Sequence, residues 1–162
     1  AGFVPKPHTA FQWEPQISME VYQGRVKLLR DHMRGRSIRY NWHDSQTSFL
    51  EAVFARGDRK VAEVIETAWR SGSKFDAWSE GFDFDRWLEA FSACGVDPAF
   101  YANRVRDKDE RFPWDVTSVG VSRQFLWRER ERAYAASTTP DCRTQCSGCG
   151  ANHFCPGGKC DA

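Results

Sequence analysis

The chain has 162 residues, of which 41% are hydrophobic and 28% charged, with a formal net charge of +1. This composition predicts one globular domain with an apolar core and excludes a disordered chain. No run of eighteen apolar residues occurs, which excludes a membrane-spanning helix. The near-neutral charge argues against broad non-specific affinity for nucleic acid. The first residues lack the pattern of a signal peptide, and the absence of an initial Met predicts a fragment or a processed product.

Two short segments are predicted to be extended. Prolines at positions 5, 7 and 15 prevent a long helix near the start of the chain. A short strand over 2–4 is therefore expected, followed by an aromatic loop. Apolar and polar residues alternate over 37–42, which predicts a second minor strand.

Apolar residues at helical spacing, together with capping residues, predict about six helices. These are a helix over 18–34 with Gly35 at its cap, one over 45–56 that Ser45 caps and one that Asp58 caps. They are followed by one that Asp83 caps and that ends before Gly95, one over 98–105 that Asp97 caps, and one that Ser122 opens and that runs to 136. The second and third helices, joined at Gly57, resemble an antiparallel hairpin. The predicted fold class is mainly α, a small helical domain with one or two minor strands and a Cys-rich metal-binding tail.

The cysteines are concentrated near the end of the chain. Five of six lie between positions 142 and 160. A disulfide scaffold would spread them through the fold, so this distribution favours a metal site in a reducing, cytoplasmic compartment. Three residues separate Cys142 from Cys146 and two separate Cys146 from Cys149, so the thiolates can converge without closing a large loop. Gly148 and Gly150 let backbone N–H groups point at sulfur.

Two kinds of metal centre fit this tail. A [4Fe–4S] cluster takes four thiolates, and tetrahedral zinc takes four thiolates or three with one imidazole. Cys155 is the expected fourth ligand, and Cys160 and His153 are the alternates. With zinc, the chain would be a structural or protein-interaction module without a redox role. Cys94 stands apart and is expected to fill apolar space.

Several short motifs occur along nearly the whole chain. They are Phe3-Val4-Pro5-Lys6-Pro7-His8-Thr9-Ala10-Phe11-Gln12-Trp13, Ala55-Arg56-Gly57-Asp58-Arg59, Phe75-Asp76-Ala77-Trp78, Asp97-Pro98, Pro113-Trp114-Asp115, Gly120-Val121-Ser122 and Thr139-Pro140-Asp141-Cys142. Each is weak alone, but together with the cysteine spacing they resemble the C-terminal region of B12-binding-domain-containing radical SAM proteins. The tail departs from the family pattern, because residues 151–154 separate Cys149-Gly150 from Cys155.

The resemblance implies an accessory region of a radical SAM enzyme, inactive alone, with an auxiliary [4Fe–4S] cluster in its tail. Residues 1–16 would follow the barrel, 17–136 would form the helical domain and 137–162 the cluster-binding tail. S-adenosylmethionine and cobalamin would belong to upstream barrel and B12-binding domains, the expected partners together with an unknown substrate. The cysteine spacing also matches the S-adenosylmethionine-binding loop of that superfamily. That loop follows the first barrel strand, however, so the tail is not assigned to it.

Three residues near the start of the chain are candidates for contact with substrate or cofactor. The resemblance places Lys6, His8 and Gln12 where the chain would leave the catalytic face of a barrel. The arginines at 123, 128, 130 and 132 predict a solvated helix face. RNA contact there is not favoured, and no membrane partner is expected.

Overall fold

The computed structural model describes residues 3–33, 35 and 37–154. They form six α-helices: α1 Met19–His32, α2 Ser45–Arg56, α3 Lys60–Arg70, α4 Phe84–Ala93, α5 Pro98–Ala102 and α6 Arg123–Tyr134. A short 3₁₀ helix, Pro113–Val116, lies between α5 and α6, and a second, Ala151–Phe154, follows α6. The mainly α fold class is confirmed. No helix in the described part of the chain is both long and apolar enough to span a bilayer.

Neither minor strand forms among the described residues. Phe3, Val4 and the segment 37–42 have no strand structure, and Gly2 lies outside the described residues. A strand needs a hydrogen-bonded neighbour, but the backbone bond recorded for this second segment joins Ile38 N–H to Gly35 O at 3.0 Å, within a turn. The predicted strand over 37–42 is therefore wrong.

Three helices begin at predicted caps, but α3 does not: its cap is Arg59 and not the predicted Asp58, whose Oδ1 accepts the N–H of Lys60 at 3.0 Å. The side chains of Asp83, Asp97 and Ser122 accept N–H bonds at the starts of α4, α5 and α6, as the sequence predicted. The cap of α2 is Asp44, whose Oδ1 accepts two N–H bonds, so the prediction of Ser45 as the cap was wrong by one residue.

Three helices end earlier than predicted, one of them α6, which ends at Tyr134 and not at Ala136. Helix α1 ends at His32, before Gly35, because the backbone of Met33 leaves the helical conformation (φ −94°, ψ 62°). Helix α5 ends at Ala102, with Asn103 as its C-terminal cap.

The chain divides into two compact units, and the first comprises residues 1–4 and 15–105. In its core, α2 packs mainly against α5 and α3 against α4. The predicted antiparallel hairpin of α2 and α3 is wrong. Gly57 between them has extended backbone, and α2 packs mainly against α5. The buried Arg56 donates to the carbonyl of Ala102 at 3.2 Å, across the α2–α5 contact. Cys94 is half-buried against this core, as expected, with its Sγ 3.4 Å from Thr67 Oγ1.

The second unit comprises residues 5–14 and 106–162, described to 154. Its buried core consists of Trp13, Phe112, Trp114 and Leu126. The backbone N–H of Arg106 bonds the carbonyl of Trp13 at 2.9 Å and joins the two segments of the unit. Residues that are distant in the sequence therefore share one small core with α6.

Candidate metal site

The cysteine tail folds back along α6. After the helix, Ala136 adopts a left-handed conformation (φ 52°), and the N–H of Ser137 bonds the carbonyl of Arg132 at 2.9 Å. Such a residue commonly ends a helix by turning the chain out of the helical path. Residues 139–150, called the thiol loop below, then return from the C-terminal end of α6 to its first residue.

Hydrogen bonds at three places along the thiol loop attach it to α6 or to the N-terminal cap of α6. At its start, Thr139 Oγ1 bonds Glu129 Oε2 on the helix. In the middle, a guanidinium nitrogen of Arg128 donates to the carbonyl of Ser147 at 2.6 Å. At its end, the N–H of Ser122 donates to the carbonyl of Cys149 at 2.7 Å. The last two bonds are accepted by backbone carbonyls of the loop, so they fix the path of the loop backbone.

The first half of the loop is organised by Asp141. Its Oδ1 accepts the N–H of Arg143 at 2.9 Å, and its carbonyl accepts the hydroxyl of Thr144 at 2.8 Å. The Arg143 guanidinium bonds the same carboxylate and holds the pKa of Asp141 below its ordinary value. This bond raises the pKa of Arg143, and Cys142 contributes in the same direction. The Arg143 guanidinium thus lies close to the Cys142 side chain.

The three cysteines of the loop differ in exposure. Cys142 and Cys146 are exposed, whereas Cys149 is half-buried. The N–H of Ala151 donates to the Cys149 sulfur at 3.4 Å, the kind of bond that stabilises thiolate charge. Gly150 makes this geometry accessible. Its φ is +98°, and a Cβ there would lie 3.0 Å from the carbonyl of Gly120.

Cys142, Cys146 and Cys149 lie on one anchored loop, but the structure does not bring them together as a finished ligand set. Within 3–33, 35 and 37–154, no group of three or more His, Cys, Asp or Glu side chains is placed to hold a metal ion. His153 is exposed in the last 3₁₀ helix, and the predicted ligands Cys155 and Cys160 lie outside the described residues. The donor chemistry fits a thiolate-bound metal, since two thiols are open to solvent and the third has an N–H donor.

The candidates near the start of the chain lie in the same unit. His8 has a left-handed backbone (φ 55°), which is uncommon for a residue with a Cβ. Its N–H donates to Gln12 Oε1 at 3.1 Å, and its Nε2 lies 3.1 Å from Thr117 Oγ1. Buried Gln12 also accepts the indole N–H of Trp114 at 2.8 Å. Gln12 therefore holds the backbone of His8 in place and ties it to the core.

His8 and Gln12 line a cavity of about 220 Å³. Asp115 and Arg123 lie on its wall, paired at 2.8 Å. Lys6 is exposed and does not line this cavity. The structure thus brings two of the three candidates together at a polar cavity and leaves Lys6 apart.

Sequence reasoning missed the role of the α6 arginines, which it assigned to a solvated face. Arg130 pairs with Glu14, and Arg132 donates to Glu129 and Thr139. Arg123 donates to the carbonyls of residues 108 and 110 as well as to Asp115. With Arg128 on the carbonyl of Ser147, every arginine of this helix is engaged. No signal in the sequence distinguishes such arginines from solvated ones, because their partners are backbone carbonyls and distant carboxylates.

Comparison of the chain with family models, with curated proteins and with solved structures finds no match to it.

Proposed function

We propose that the thiol loop, together with residues beyond 154, holds a thiolate-bound [4Fe–4S] cluster. The observation that carries this proposal is the environment of Cys149. Its sulfur accepts the Ala151 N–H, and its carbonyl is fixed on the first turn of α6. A thiol that merely filled space would need neither a positive-φ glycine beside it nor an N–H directed at its sulfur.

Each part of the loop has a distinct role in this proposal. Cys142, Cys146 and Cys149 would ligate, with Cys155 as fourth ligand and Cys160 or His153 as the alternates. When bound, a cluster of this kind supplies one-electron redox chemistry or a point of attachment for substrate. Anchoring on α6 fixes the third thiolate, while the thiols of Cys142 and Cys146 are accessible to a metal from solvent. Limiting the motion of one ligand lowers the entropy lost when the others bind.

We further propose that the chain is the C-terminal accessory region of a cytoplasmic radical SAM enzyme. The resemblance of its motifs supports this, and so does the concentration of thiols in one segment. In this proposal S-adenosylmethionine and cobalamin bind to the upstream barrel and B12-binding domains. The region alone has no turnover. The cavity at His8 and Gln12 would then lie near substrate, which the resemblance alone suggests.

Zinc is the second candidate metal, and the exposure of His153 favours it. His153 lies four residues after Cys149, and its side chain is open to solvent. Three thiolates and this imidazole would complete a tetrahedral zinc site. The helical part would then serve as a protein-interaction module with no redox role.

Metal content and the visible spectrum after anaerobic purification of the full chain test both candidates. We expect iron and a broad thiolate-to-iron charge-transfer absorption, both lost in Cys146→Ala. Cys94→Ala is the matched control, since it also removes one thiol but lies outside the tail. Zinc in the wild-type chain without visible absorption, and loss of that zinc in both Cys146→Ala and His153→Ala, would favour the zinc module over the cluster. Iron and absorption that persist in Cys146→Ala would refute the assignment to this loop.

A further inference from the structure

Positive charge is concentrated in one short stretch of the chain. Residues 24–39 contain six Lys or Arg and a single Asp, a net charge of +5, whereas the whole chain carries +1. The remainder of the protein is therefore acidic. The near-neutral net charge of the whole chain therefore includes a strongly basic segment. Such a segment is the electrostatic feature that polyanions recognise.

The described cations of this segment are available for a partner. Arg25, Lys27 and Arg30 on α1 and Arg39 after it are all exposed. None of the four has an ion pair or a side-chain hydrogen bond to another described residue. The two other arginines, at positions 34 and 36, lie outside the described residues. Exposed cations with no partner among the described residues can neutralise the charges of a polyanion, which releases the counterions condensed on that polyanion and makes binding salt-dependent.

Two of these cations share a cleft with an exposed aromatic ring. Lys27 and Arg30 line a cleft of about 240 Å³ together with Trp42. The indole of Trp42 is 45% exposed and stacks on Tyr40, with ring centroids 5.4 Å apart and planes at 27°. This stacking holds the indole in a defined orientation. A planar surface and two charges are therefore presented side by side.

The two walls of the cleft are tied together. The hydroxyl of Tyr22 on α1 donates to the carbonyl of His43 at 2.9 Å. The amide of Gln23 donates to Ser45 Oγ at 2.9 Å. These bonds connect α1 to the start of α2, on either side of the segment that carries Trp42. The arrangement is thus pre-formed in the absence of a partner.

We propose that this cleft binds an unpaired stretch of a nucleic acid strand. Lys27 and Arg30 would contact phosphates, Arg25 and Arg39 would extend the basic surface, and a base would stack on Trp42. A basic groove beside aromatic rings is the usual basis of single-strand binding, because every base offers a stacking face. Base-paired duplex offers no free face to Trp42, so single strands are preferred.

A membrane surface fits the same helix less well. Helices that lie on lipid need a continuous apolar face. On α1, Arg25 projects between Val21 and Leu29 around the helix, which interrupts the exposed apolar residues. An acidic protein would satisfy the cations but would not use the exposed indole plane.

Fluorescence anisotropy with short labelled RNA and DNA single strands of one sequence, across a salt series, tests the proposal. We expect salt-dependent binding whose log–log slope decreases by about 0.7 for each contacting cation removed in Lys27→Gln/Arg30→Gln. Arg59→Gln/Lys60→Gln is the matched control, because it removes the same charge from exposed positions of the same unit. A preference for RNA over DNA would identify RNA as the partner, and equal affinity would identify single strands in general.

The stacking contribution is tested separately at Trp42. Trp42→Ala should weaken binding by at least about fivefold, while Trp42→Phe should retain most of it. Trp69→Ala removes another exposed indole, 57% accessible on α3, and should leave binding unchanged. Circular dichroism checks that each variant remains folded. None of these changes touches the tail cysteines, so the outcome is independent of the metal proposal.

Four results would overturn the proposal. They are the absence of salt-dependent binding, equal weakening by the control pair, duplex binding as tight as single-strand binding, and polyglutamate or anionic vesicles bound as tightly as the oligonucleotide.

Discussion

Helices α1 and α6 are both rich in basic residues, yet they use them differently. On α6, Arg123, Arg128, Arg130 and Arg132 all pair with carboxylates, a hydroxyl or backbone carbonyls. On α1, the cations at 25, 27 and 30 are exposed and make no such contact with described residues. Helix α6 is thus a support for the thiol loop, whereas the charges of α1 are exposed to solvent. The partners and burial of a guanidinium, and not the number of charges, separate a structural arginine from one available for recognition.

The largest difference should appear when one arginine of each helix is replaced. Arg130→Met leaves the carboxylate of Glu14, only 14% exposed, without its ion partner. We expect the free energy of unfolding to fall by about 2–3 kcal/mol. Arg30→Met removes an exposed cation and should change the free energy of unfolding by less than about 0.5 kcal/mol. Urea unfolding followed by tryptophan fluorescence measures both. Equal losses in the two variants would mean that α1 and α6 do not differ in this way.

Replacing one glycine in the thiol loop and one in α1 should change the stability of the protein in opposite directions. Gly150→Ala forces a Cβ to within 3.0 Å of the Gly120 carbonyl at φ +98°, which should cost about 1–3 kcal/mol locally. Gly24→Ala, in the middle of α1 with no atom within 4 Å of the new Cβ, should stabilise the chain by about 0.5–1 kcal/mol.

Hydrogen exchange at the Ser122 amide reports the first effect, because that N–H bonds the Cys149 carbonyl. Thermal unfolding reports the second. Unchanged exchange at Ser122 in Gly150→Ala would show that the thiol loop is not held on α6 as described.

A smaller effect is expected on the pKa values of Tyr22 on α1 and Tyr134 on α6, which are raised for different reasons. The pKa of Tyr134 is raised mainly by its hydrogen bond to Glu14, and that of Tyr22 mainly by burial. Because the folded-state pKa is raised, each contributes stability below its ordinary pKa of 10.0, which is lost as pH rises through the folded-state value. Glu14→Gln should return the pKa of Tyr134 toward its ordinary value and leave Tyr22 unchanged in a phenol absorbance titration. A parallel shift of both would contradict these separate causes.

Local signals in the sequence were sufficient for much of the fold. Asp83, Asp97 and Ser122 were predicted as caps because a short polar side chain before an apolar period satisfies the first N–H groups of a helix. The prediction of a strand over 37–42 was wrong because the alternation of apolar and polar residues indicates only which side of the chain a residue faces. Whether a neighbouring strand exists is a non-local fact. Tyr40 and Trp42 do share a side, as the alternation implied, but they form a ring stack.

The cysteines of the candidate site can be selected from the sequence as predicted ligands, whereas the contacts that hold their loop cannot be predicted from it. Cys142, Cys146 and Cys149 stood out by their spacing, which is local. The bonds from Arg128 and Ser122 to loop carbonyls could not be predicted, because any residue supplies a carbonyl and sequence carries no signal for which one is used. The availability of Lys27 and Arg30 likewise depends on what the fold places around them.

Iron, inorganic sulfide and zinc measured together in the anaerobically purified full chain test the central claim, a thiolate metal centre held on α6, most directly. We expect about four iron and four sulfide per chain, as a [4Fe–4S] cluster requires, with lower occupancy in Gly150→Ala than in Gly24→Ala. Absence of both metals from the wild-type chain, or occupancy indifferent to the loss of Cys146, would contradict the account.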